Sequence, residues 1–206
     1  MTCAAYMHRF AFTAALLIVP MGACAAQSSP DDPACQPPPP PRGATLANHA
    51  RIAPPTEPGE QMRIRLRFED VRGKPHSGLI VYAYQTDAQG HYATGNGETG
   101  CYRFHGALHA FTRTDTDTVG AVSFETIRPG PYPGRTDPQH VHVVVQFADA
   151  RGFYLNSLVF SDDPRVTPTY RVSERDAGGS GIATPQRDSA GTWLVTHTFR
   201  FARAPR

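Results

Sequence analysis

The sequence predicts an all-β domain, a β-sandwich with long loops, and three observations carry that reading. Short runs alternate apolar and polar residues with a period of two, the spacing that turns one face of a strand to a core. Twenty prolines and 18 glycines in 206 residues break those runs with turns. No apolar stripe at helical spacing continues through three turns. A hydrophobic content of 40% supports one core of ordinary size. Basic and acidic residues number 20 and 18, so no nucleic-acid footprint is present. Lys74 is the only lysine, a bias that reflects coding more than function.

Residues 1–26 read as an export signal: His8 and Arg9 precede the apolar run Phe10 to Val19, which is too short to span a bilayer stably. Met21-Gly22-Ala23-Cys24 resembles a lipobox, which would put a lipid on Cys24 and anchor the chain to a membrane. Ordinary cleavage near Ala23 or Ala26 is the alternative. Both predict an exported protein, periplasmic or secreted. Residues 27–59 are rich in Ser, Asp, Pro and Ala, with Pro37 to Pro41 unbroken, and read as a semi-rigid spacer that buries no core. Cys3 and Cys24 belong to the signal. Cys35 in the spacer and Cys101 in the domain can form a disulfide in an oxidising compartment, or remain two free thiols.

The folded domain is predicted over 60–206. Met62, Ile64, Leu66 and Phe68 alternate with Arg63, Arg65 and Arg67 in a first, half-buried strand. A turn with Gly73 and Pro75 leads to a strand from Leu79 to Gln85, with Ile80, Tyr82 and Tyr84 on one face. After the Asp87–Gly90 turn stands Tyr92, followed by a polar, glycine-rich loop at 94–100. Further strands are expected near Phe111–Thr114, over Ala121–Ile127, from His140, over Phe153–Phe160 and over Trp193–Phe201. Gly178–Gly181 reads as a mobile stretch. Many short strands with regular turn signals point to a sandwich.

The stretch from Thr126 to Gln146 carries the chemistry. His140 and His142 project on one side of an extended chain, close enough for both imidazoles to reach one metal ion, while Val141 and Val143 point to the core. The segment Pro129-Gly130-Pro131-Tyr132-Pro133 is no helix, because its prolines fix φ and remove donors. Such a rigid turn can hold the Tyr132 phenol relative to the histidines. Taken alone, the pattern reads first as an exposed strand start with two surface histidines and a turn tyrosine. His91 is expected to face solvent, and His105 and His109 to lie on the surface.

In chain order the motifs are Gly73-Lys74-Pro75-x-x-Gly78, Val81-x-x-Tyr84-Gln85, Gly90-x-Tyr92, Thr114-Asp115 with Gly120, Phe124-x-Thr126-Ile127-x-Pro129-Gly130-x-Tyr132, and His140-x-His142. This series, from about Gln61 to Phe160, resembles the intradiol ring-cleavage dioxygenases, the family of protocatechuate 3,4-dioxygenase and catechol 1,2-dioxygenase. The resemblance implies a β-sandwich of the intradiol dioxygenase type holding one non-haem Fe(III). It implies Tyr92 and His140 as equatorial ligands with a hydroxide, and Tyr132 and His142 as axial ones. A hard ferric ion suits anionic oxygen ligands, and a phenol with a pKa of about 10 deprotonates beside such a charge. A catechol-type substrate would bind through both oxygens, Tyr132 would accept one of its protons, and O2 would open the ring between the oxygen-bearing carbons.

Two positions depart from the family's pattern. Asp137 stands where an arginine usually precedes the two histidines, in a segment two residues longer, and Arg135 is the candidate to take over that arginine's role. Ser157 stands where a glutamine assists and is expected to be structural. A dioxygenase is therefore weighed against an exported binding or structural sandwich with a retained metal site. The same ligand set holding copper or zinc also stays open.

The export reading predicts a mature chain starting near Cys24 or Ala26, with Cys35 and Cys101 oxidised. Intact mass before and after reduction and alkylation checks both. An unprocessed Met1 terminus, or a mass unchanged by reduction, contradicts it.

Overall fold

The computed structural model describes residues 40, 42–92, 108–114, 120–148, 152–173 and 178–202. The signal segment, His105 and all four cysteines lie outside the described residues. Among the described residues eleven strands form two sheets. They are β1 (His49–Arg51), β2 (Gln61–Glu69), β3 (Ile80–Gln85), β4 (Leu108–Arg113), β5 (Ala121–Ile127), β6 (His140–Gln146), β7 (Phe153–Tyr154), β8 (Leu158–Phe160), β9 (Ile182–Ala183), β10 (Gln186–Arg187) and β11 (Trp193–Arg200). One sheet runs β1-β5-β2-β11-β10, and the other β4-β3-β6-β8-β9 with β7 also paired to β6. The predicted β-sandwich is the observed architecture. Among the described residues one helix occurs, α1 (Pro168–Ser173), opened by Thr167, whose hydroxyl accepts from the Tyr170 amide at 3.1 Å.

Strand β2 follows the predicted alternation, with Met62, Ile64, Leu66 and Phe68 all buried. They meet Val122 and Phe124 from β5, and Val195 and Phe199 from β11, on one side of the core. Val81 and Ala83 of β3, and Val141, Val143 and Val145 of β6, close it from the other sheet. Both β3 and β6 also carry a load on their outer face. Tyr82, Tyr84 and Val144 form a second buried cluster there, joined by Tyr92 and by the partly buried Phe111, Tyr132 and Tyr154. All six residues of β3 are buried in consequence.

Three sequence expectations change. The tract 27–59 is not a spacer throughout: β1 pairs in parallel with β5, and Ile52 and Ala53 behind it are buried. The apolar Ala50 and Ile52 are too few to mark a strand in a proline-rich window, and partners 74 residues away, such as Ser123 for His49, stabilise it. Strand β4 begins earlier than Phe111, because Leu108 to Ala110 continue the ladder opposite Gln85 to Ala83. The expected strand Phe153–Phe160 is two strands, β7 and β8, separated at Leu155–Ser157.

At one end of the sandwich a buried polar bridge joins the sheets. Gln85, fully buried at the end of β3, donates through Nε2 to the Ile127 carbonyl at 2.9 Å and accepts from the Thr126 hydroxyl at 3.0 Å. The Thr86 hydroxyl donates to the Gly130 carbonyl at 3.0 Å. These bonds fix where the proline-rich turn leaves β5. Gln85→Leu orphans the Ile127 carbonyl and the Thr126 hydroxyl in an apolar site, and should cost about 2 kcal/mol or more. Urea unfolding checks this; a variant as stable as the parent shows that the bridge is not needed.

Candidate metal centre

The site is built on the outer face of the second sheet from two turns and one strand. The first turn, Asp87 to His91, is closed by the Asp87 carboxylate, which accepts from the Gln89 and His91 amides at 2.9 and 2.8 Å. It presents Tyr92. The second, Pro129 to Pro133, presents Tyr132. They touch backbone to backbone: the Gly130 amide donates to the Asp87 carbonyl at 2.8 Å. A Cβ on Gly90 would fall 1.9 Å from the Pro131 carbonyl oxygen, and one on Gly130 would fall 2.4 Å from the Gly90 nitrogen. Gly90 also has φ +85°, a conformation side-chain-bearing residues rarely adopt.

Strand β6 supplies the histidines. Gln139, just before it, is held from both sides. Its amide donates to the buried Asp163 carboxylate at 2.7 Å, and its side chain accepts from Arg128 Nε at 2.9 Å. Arg128 in turn grips Asp162 with two bonds of 2.8 and 2.7 Å. The loop from 128 to 139 is thereby pinned at both ends.

All four predicted ligands come together. The Tyr92 and Tyr132 hydroxyls are 2.5 Å apart, and Tyr132 Oη is 3.1 Å from His142 Nε2 and 3.3 Å from His140 Nε2. The two Nε2 atoms are 3.1 Å apart. Bonds of about 2.0–2.1 Å to a common metal place neighbouring donors roughly 2.8–3.4 Å apart. The three separations among Tyr132 Oη, His140 Nε2 and His142 Nε2 fall in that range, while the two hydroxyls stand closer, at hydrogen-bond distance. Among the described residues no three His, Cys, Asp or Glu side chains gather as a metal-binding group; the cluster here joins two imidazoles to two phenols.

The protonation pattern agrees. His140 Nδ1 lies 2.6 Å from the Pro138 carbonyl, which can only accept, so Nδ1 carries the proton. Burial lowers the His140 pKa, outweighing the Pro138 carbonyl and the Asp137 carboxylate, which act the other way. The ring is neutral, and its Nε2 lies 3.3 Å from Tyr132 Oη and 3.1 Å from His142 Nε2. A positive ion satisfies such a set of lone pairs; a second buried lone pair does not.

The remaining candidates fall as follows. His91 and His109 are exposed, as expected from the sequence. Arg135 is exposed and paired with Asp137 at 2.8 Å, with its guanidinium carbon 5.5 Å from the centre of the Tyr132 ring. Ser157, read as structural, has its hydroxyl 3.2 Å from His142 Nδ1. Tyr84 was not singled out as a site residue, yet its ring stacks on His142 with centroids 4.4 Å apart. Its face alternation on β3 was legible, but its partner on β6 was not.

Gly90→Ala should separate the two turns. Left-handed strain alone costs about 1–3 kcal/mol, and the overlap with Pro131 adds to it. Gly134→Ala is the control, since Gly134 also has positive φ, +70°, but open space around it. Denaturant melts should show the larger loss at Gly90; equal losses mean that the close approach of the turns adds nothing.

The family model Dioxygenase_C, described as dioxygenase, matches residues 39–177, more than half of the chain. No curated protein matches the sequence. Among solved structures, the dioxygenase domain of a dioxygenase carbohydrate-binding protein fusion from Streptomyces sp. SirexAA-E is similar at a TM-score of 0.56 and 21% identity, over 75% of this chain and 87% of that one. Catechol 1,2-dioxygenase from Pseudomonas arvilla C-1 is similar at a TM-score of 0.58 and 21% identity, over 80% of this chain but only 60% of that one. An intradiol ring-cleavage dioxygenase from Tetranychus urticae matches at 0.55 and 20% identity, over 73% and 84%. Identities this low speak for the shared fold, and the family model speaks for membership. The chain belongs to the intradiol ring-cleavage dioxygenase family.

Proposed function

We propose that this is an exported non-haem Fe(III) intradiol dioxygenase, which opens the ring of a catechol-type diol with O2. The observation that carries the reading is the convergence of two phenols and two imidazoles, with Tyr132 Oη bonded to Tyr92, His140 and His142 at once. Tyr92, Tyr132, His140 and His142 would hold the iron. Fe(III) bound there supplies a Lewis acid that holds the diol as its anion and makes the ring reactive toward O2.

The chain's own groups have separable tasks. Tyr132 sits on a half-buried turn beside the other three donors, so its phenolic oxygen is placed to take a proton from the diol. His140 stays neutral, and both histidines keep their Nε2 atoms directed at Tyr132 Oη. Arg135 and Asp137 reach the site as a pair, so the acid that replaces the family's usual arginine does not stand there as a bare negative charge. This ion pair also favours the second reading. A guanidinium tied to a carboxylate stabilises an anionic substrate less than a free one, and the centre would then serve binding without turnover.

Iron-loaded protein should be red to brown from tyrosinate charge transfer, and Tyr92→Phe and Tyr132→Phe should each weaken or shift the band. A protein that stays colourless and takes up no iron overturns the metal centre. Catechols and O2 should be consumed in equal amounts to give a cis,cis-muconate-type diacid. His142→Ala should abolish turnover through loss of iron, whereas Arg135→Ala should lower it with iron retained. A band that shifts with catechols while no oxygen is consumed across a broad panel establishes the binding protein instead.

A further inference from the structure

Ser157 stands in the break between β7 and β8, and the register of that break is informative. β7 pairs with β6 at Val144↔Tyr154, and β8 pairs with it at Val141↔Leu158. Three steps along β6 therefore face four along its partner, a one-residue bulge between Tyr154 and Leu158. Carrying the β8 register one residue further sets Ser157 opposite His142, and residues directly opposite in a ladder share a face. In the β7 register Ser157 would oppose Val141 and point to the core. The bulge turns this hydroxyl to the metal face.

The bulge is held from behind by the glycine-rich segment Gly178–Gly181. Asn156 Nδ2 donates to the Gly179 carbonyl at 2.9 Å, and the Val159 amide donates to the Gly181 carbonyl at 3.0 Å. A Cβ on Gly181 would lie 2.1 Å from the Ser157 carbonyl oxygen, so only glycine allows this packing. On the other side, Tyr84 covers the face of the His142 ring at an interplanar angle of 17°. The imidazole is confined on its face by Tyr84 and at its Nδ1 edge by Ser157.

We propose that Ser157 is a positioning residue for His142. Its hydroxyl accepts the Nδ1 proton when Nε2 holds a metal, as the Pro138 carbonyl does for His140, and the Gly178–Gly181 segment keeps it there. The inference rests on the metal-centre reading given above. Partners of this kind set the tautomer and orientation of a ligating histidine and raise its basicity.

Zinc(II) chloride titrated into the metal-free full chain tests this without reliance on iron or activity. Ser157→Ala should bind zinc about tenfold or more weakly, and Ser157→Thr, which keeps the hydroxyl, should stay within about threefold of the parent. Proton–nitrogen NMR of the zinc-loaded protein should show slowly exchanging Nδ1 protons on His140 and His142. In Ser157→Ala only that of His142 should be lost. Unchanged zinc affinity and an unchanged His142 signal in Ser157→Ala overturn the positioning role and leave the metal centre standing. So does a Ser157→Thr variant as weak as Ser157→Ala, because the hydroxyl is then not the operative group. Zinc that moves neither histidine ring of the parent protein overturns the metal centre, and this inference with it.

Discussion

The close contact between the Asp87–His91 and Pro129–Pro133 turns is the constraint on which the centre depends. Two main chains approach so closely at Gly90 and Gly130 that neither position has room for a methyl group. The Asp87 carbonyl ties them by accepting from both glycine amides, at 3.2 and 2.8 Å. With the turns locked, the tyrosines that leave them are brought to a 2.5 Å separation of their hydroxyls. Backbone hydrogen bonds and proline-fixed dihedrals hold the phenols, so little side-chain freedom is left to lose when a ligand binds. The Gln85 bridge carries the same order into the core, because it fixes the carbonyl of Ile127 two residues before the proline-rich turn begins.

Strand β6 connects core stability to chemistry. Its odd-numbered valines fill the space between the sheets, and its histidines face outward to the site. A ladder with β3 on one side and β7 and β8 on the other leaves it no freedom to slip. A slip of one residue would exchange the valines for the histidines. The centre is therefore as rigid as the sandwich that carries it. Arg128 extends that rigidity to the loop through Gln139 and Asp162, with its guanidinium also stacked over Trp193 at 4.5 Å.

Charge around the centre is close to balanced. His140 is kept neutral by burial. The Arg135–Asp137 pair brings one positive and one negative group to the rim, where solvent screens both. Two phenolates offered to a trivalent cation would leave a small residual charge, which suits an anionic ligand arriving from solvent.

By itself the sequence determined the local part of this protein. Period-two alternation placed β2, β5 and β11, and His140-x-His142 on such a strand already implied one shared face. The proline spacing around Tyr132 already excluded a helix. All these follow from neighbours a few residues apart, where sterics and side-chain direction decide. What only the tertiary structure decided depends on long-range register. The single bulge that aims Ser157 at His142, the stacking of Tyr84 on the same ring, and the meeting of Gly90 with Gly130 each join segments many residues apart. So does the recruitment of His49–Arg51 from a proline-rich tract to the edge of β5. A one-residue change in pairing reverses which face a side chain occupies, and no local pattern records it. That is why the shared face of His140 and His142 was legible in the sequence and the full ligand set came from the family resemblance, while the groups that orient the ligands came from the fold.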